Sequence, residues 1–141
     1  MFYKIQPLTQ KSNIDNHFYR NLGLLFYAIA AADNTVEEQE IKKLNNLVKT
    51  EWKSITDFNS DGEGIIIKTF MRLDSSDTNN AEGCYNSFIS YMKSHTALFT
   101  PDINALITRT ATKITTSFSG QNKSELIMLA KLDLELKKLD L

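Results

Sequence analysis

The chain has 141 residues, of which 42% are hydrophobic and 23% charged, with five Gly, two Pro and a single Cys. That length suits one domain that buries a core of its own, and one cysteine excludes an intramolecular disulfide. The net charge of -1 is unevenly spread, +2 over residues 1–32, -5 over 33–82 and +2 over 83–141, which excludes the basic stripe of a nucleic-acid surface.

Residues 1–13 read as an N-terminal extension, and residues 14–141 as a single all-helical domain. The opening Met1-Phe2-Tyr3-Lys4-Ile5-Gln6-Pro7 lacks the long apolar run and small-residue cleavage site of a secretory signal, so a cytoplasmic protein is expected. In the first helical segment Phe18, Leu22, Leu25, Phe26 and Ile29 recur at helical spacing, and Tyr19, Leu24 and Tyr27 fill much of the other side. A helix apolar nearly all round belongs at the centre. Its apolar run, residues 22–32, is 11 residues long against the roughly 20 that span a bilayer, so no membrane insertion is expected.

The second segment sets Ile41, Leu44, Val48, Trp52 and Ile55 on one stripe and leaves Lys42, Lys43, Lys49 and Lys53 on the wet side. Thr35 and Glu38 have the spacing of a capping box at its start. A polar loop, residues 56–64, leads to Ile65-Ile66-Ile67, where Phe70 and Leu73 continue at helical spacing and predict a short helix over a strand. The fourth segment carries Ala81, Cys84, Tyr85, Phe88, Ile89 and Met92. The fifth opens on Thr100-Pro101-Asp102, a capping hydroxyl, a proline at the first helical position and an acid at the positive end of the dipole. It continues through Ile103, Leu106, Ile107, Ala111 and Ile114. After Gly120 the last helix places Leu129, Leu132, Leu136 and Leu139 at three- and four-residue spacing. Short connections between such segments predict a single antiparallel bundle of about six to seven helices. The order apolar helix, polar turn, cap, acid, apolar helix occurs at 32–41 and again at 118–127; duplication and convergent capping both produce it.

The joint Ala31-Ala32-Asp33-Asn34-Thr35-Val36-Glu37-Glu38-Gln39-Glu40 resembles the Ala-Ala-Asp-Gly-x-Val-Ser-x-x-Glu signature of the TerB-like family, named for a tellurite-resistance protein. The stretch Asn122-Lys123-Ser124-Glu125-Leu126-Ile127-Met128-Leu129-Ala130-Lys131-Leu132 is similar to that family's closing helix. Asn34 replaces the signature glycine, which a left-handed turn tolerates, and Glu37 replaces its serine. The resemblance implies a bacterial, cytoplasmic helical bundle. It also implies a non-catalytic role in stress response, with protein partners that include membrane-associated assemblies. By that resemblance Asp33, Glu37 and Glu40 are the positions for partner or ion binding. Dipole stabilisation of acids in a first helical turn, about 0.3–1 kcal/mol each, accounts for the same residues without any function.

Asp57-Phe58-Asn59-Ser60-Asp61-Gly62-Glu63 matches the first half of an EF-hand calcium loop, with oxygen donors at alternate positions and a bend-permitting glycine. Its twelfth position is Lys68 and its eighth Gly64, so Asp57, Asn59, Asp61 and Glu63 would hold at best a weakly bound divalent cation; no other cofactor is expected. A solvated acidic turn explains the same residues. Cys84 and His95 sit about 16 Å apart along one predicted helix, which separates the thiol from a base, and His17 and His95 show no zinc-ligand spacing. The function expected is a non-enzymatic interaction protein acting through an acidic surface, with weak cation binding as the alternative.

Overall fold

The computed structural model describes residues 14–32, 36–52, 60–76, 80–115 and 123–139, and the expected extension 1–13 lies outside them. Among the described residues every regular element is helical: α1 Asn16–Ala30, α2 Glu38–Thr50, α3 Ser60–Asp74, α4 Ala81–Ser94, α5 Pro101–Thr115 and α6 Lys123–Lys138. A short 3₁₀ turn, Thr96–Leu98, joins α4 to α5. No described helix is long and apolar enough to cross a membrane.

α1 is the axis of the bundle. Ten of its 15 residues are buried, and it packs on α3, α4, α5 and α6. Asp15 starts it, its carboxylate accepting from the backbone N–H of His17 at 3.0 Å and of Phe18 at 3.3 Å. The closest packing is between α1 and α3. A Cβ added at Gly23 would lie 2.7 Å from the Thr69 Cβ and 2.9 Å from the Ile66 carbonyl, and one added at Gly62 would enter the Tyr19 ring. Tyr27 meets Phe70 edge-on at 5.7 Å, so the pairing advances in step along both chains and the two helices run parallel.

α2 lies outside this pair, resting on α5 and α3 through Leu44, Leu47 and Val48. Just beyond it Trp52 is fully buried against Phe26, and its Nε1–H donates to the buried Thr110 hydroxyl of α5 at 2.9 Å. Full burial of a large apolar side chain contributes about 1.5–3 kcal/mol, so Trp52 is a principal anchor of α2. α4 is capped by Asn80, whose side-chain oxygen accepts from the Gly83 N–H at 2.6 Å. Its inner stripe is Cys84, Tyr85, Phe88, Ile89 and Met92. After the 3₁₀ turn, Phe99 sits 5.8 Å from both Phe18 and Phe88 and so ties α1 to α4. The expected cap of α5 is present: the Thr100 hydroxyl accepts from the Ile103 N–H at 3.3 Å.

The segment expected to be a loop, residues 56–64, is partly helix. α3 begins at Ser60 and runs through Asp61, Gly62, Glu63 and Gly64. Gly62 permits contact with Tyr19, where sequence reading assigned it to a bend. Tertiary packing overrides the weak helix propensity of two glycines.

Candidate functional site

Among the acids expected at the joint, Asp33 lies outside the described residues, Glu37 is half-buried and Glu40 is only 4% exposed. The capping register also differs from expectation. The box falls on Glu37 and Glu40 in place of Thr35 and Glu38, with the Glu37 backbone N–H donating to Glu40 Oε1 at 2.7 Å. Val36 and Ile41 occupy the two positions of a hydrophobic staple around this cap and both pack against the core, which draws the helix start to Glu38. Glu40 is therefore a buried capping residue and no part of an acidic surface. Glu125 holds the matching third position of α6 and is equally buried, so the internal echo extends to the placement of its acids.

Of the calcium-like positions, Asp57 and Asn59 lie outside the described residues, Asp61 belongs to the helical backbone of α3, and Glu63 is half-buried on the same helix. Among the described residues no three His, Cys, Asp or Glu side chains are grouped to hold a metal.

Cys84 is buried in the core, which pushes its thiol pKa up and away from the reactive thiolate. His95 caps the far end of α4. The fold brings it together with the distant His17 around a cleft of about 620 Å³, which Asp15 and Tyr91 also line. There the His95 ring stacks on Tyr91 at 4.1 Å, with Nδ1 2.9 Å from the Tyr91 carbonyl. Burial, and secondarily the Asp15 carboxylate, push the Tyr91 hydroxyl up to about 12.

The C-terminal end of α1 adjoins a cleft of mixed polarity. Ala32, at the end of α1, lines a cleft of about 520 Å³ with Ala81 and Glu82 of α4 and Ile127, Met128 and Lys131 of α6. From this cleft an apolar ridge runs along the outside of α6: Leu126 is 46% exposed, Ile127 48% and Leu134 62%. On the inner side of the same helix Leu132 and Leu136 are buried. α6 thus carries two apolar faces, of which the bundle covers one. The sequence signal for the outer face is the set of apolar residues that fall off the Leu129, Leu132, Leu136, Leu139 stripe. Lys137 with Asp133 at 2.9 Å and Lys138 with Glu135 at 3.6 Å neutralise much of the charge at its C-terminal end.

Comparison with protein-family models, with curated proteins and with solved structures finds no match. The fold and surface alone define the class: an all-helical bundle with an apolar ridge on its last helix.

Proposed function

We propose that this chain is a non-catalytic interaction protein, a cytoplasmic stress-response module of TerB-like type that binds another protein where α6 meets the α1–α2 joint. The observation that carries this reading is the second apolar face of α6, with Leu126, Ile127 and Leu134 about half exposed beside the cleft at Ala32. Large apolar side chains clustered on one helix are the anchors from which protein interfaces are built, and a charged rim of Glu82 and Lys131 confers register. The TerB-like likeness of the joint supports the same location. The buried, unactivated Cys84 agrees with a non-enzymatic role.

The double variant Ile127→Lys/Leu134→Lys tests this. Used as bait in native co-purification at unchanged thermal stability, it is expected to lose the proteins that the wild-type chain retains. Recovery of the same proteins in the same yield would overturn the proposal.

A further inference from the structure

Ile127, Ala130 and Leu134 recur at three- and four-residue spacing along the exposed side of α6, with Leu126 beside them. The apolar ridge therefore covers two helical turns, about 10 Å of axis. Ala130 lowers it between its two large ends. A stripe of this length and period is what a second amphipathic helix meets with anchors at i, i+3 or i+4 and i+7. Beside Ile127 and Met128, the cleft of about 520 Å³ between α4 and α6 offers a depression for an inserted side chain.

The rim decides which helix. Lys123 and Lys131 lie one turn to either side of Ile127, both exposed. Among the described residues neither has a carboxylate within 4.0 Å. The acids of the same helix are engaged or buried: Asp133 holds Lys137, Glu135 holds Lys138, and Glu125 is 4% exposed. Glu82, on the α4 wall of the cleft, is a single carboxylate against the two lysines. A second copy of α6 does not complement this rim. Parallel pairing sets each lysine against itself, and two-fold antiparallel pairing about Ala130 sets Lys123 against Lys137; like charges across an interface disfavour both. An anionic bilayer would suit the lysines, but it leaves the cleft unfilled and brings Glu82 against headgroups of its own sign.

Resting on the α6 interface proposed above, we infer that its occupant is an acidic amphipathic helix of another protein. Apolar side chains over two turns of that helix pack on Leu126, Ile127 and Leu134, and its flanking carboxylates meet Lys123 and Lys131.

The test is an amide NMR titration of the full chain with two synthetic helical peptides of about 18 residues. Both carry the same leucine stripe at three- and four-residue spacing, flanked by glutamate in one and by lysine in the other. The glutamate peptide is expected to give saturable shifts at residues 81–82 and 123–134, and the lysine peptide to bind at least about tenfold more weakly. In Lys123→Glu/Lys131→Glu the preference should reverse; both residues are exposed, so that variant keeps its fold. Equal binding of the two peptides at α6 overturns the acidic partner and leaves the interface standing. Absence of saturable α6 shifts from either peptide up to about 1 mM overturns it as well, while co-purification with Ile127→Lys/Leu134→Lys decides the interface on its own. Co-sedimentation with phosphatidylglycerol vesicles that the lysine-to-glutamate variant loses, without peptide binding, overturns it in favour of a membrane surface.

Discussion

At the scale of single residues, two glycines two positions apart in α3 have opposite meanings. Gly62 lies against the Tyr19 ring, so a methyl there must displace a fully buried aromatic side chain, whereas a Cβ at Gly64 meets nothing within 4 Å. Gly62→Ala is expected to cost about 1–3 kcal/mol by overpacking. Gly64→Ala is expected to gain up to about 1 kcal/mol from helix propensity and a less flexible unfolded chain. Urea unfolding midpoints measure both, and a common sign for the two substitutions would refute the packing assigned to Gly62. Glu40 shows the same dependence on context. As a sequence feature it is one acid among several; in the fold it is a buried cap, because its carboxylate reaches back to the Glu37 N–H.

At the scale of elements, α2 is held to α5 by a polar clasp as well as by Trp52. Lys113 donates to Glu51 at 3.0 Å and Arg109 at 3.5 Å. The hydrogen bond from Lys113 holds the Glu51 carboxyl below its ordinary value of 4.5, overcoming partial burial, with the charges of Lys113 and Arg109 adding to the effect. A carboxyl with a depressed folded-state pKa stabilises the fold above its unfolded value, and that stability is lost as pH falls through the folded value. Glu51→Gln should therefore melt below the wild type at neutral pH, and the gap should close once pH drops well under 4.5. A gap that stays constant with pH would assign the effect to packing. For α6, Leu132→Ala on the inner face should cost about 2–5 kcal/mol, while Leu134→Lys on the outer face should stay within about 0.5 kcal/mol. Equal losses in chemical denaturation would mean that both faces belong to the core.

Helices with one buried stripe were legible from spacing alone, as with α4 and its Cys84, Tyr85, Phe88, Ile89, Met92 series, because one-sided burial imposes the helical period on apolar residues. The start of α3 was not, since Ser60-Asp61-Gly62-Glu63-Gly64 has turn composition and only its contacts with α1 make it helical. The outer face of α6 was legible only as residues. Leu126, Ile127 and Leu134 are apolar in any reading, but which of two interleaved stripes faces the core is decided by α1 and α5. The cleft shared by His17 and His95 needed the fold outright, because residues so distant in sequence carry no local signal of proximity.

At the scale of the whole molecule, α1 is buried along most of its length, so most of the molecule's surface belongs to the outer helices. The region where the C-terminal end of α1 meets the N-terminal ends of α4 and α6 combines a cleft, an apolar ridge and a mixed-charge rim. That combination, in place of an acidic patch, is the proposed partner-binding surface. The most direct measurement is site-specific photocrosslinking from a probe placed in turn at positions 127, 134 and 90, the last an exposed serine of α4. One protein is expected to be captured from both 127 and 134 and not from 90. Capture of that protein from 90, with none from 127 or 134, would contradict it.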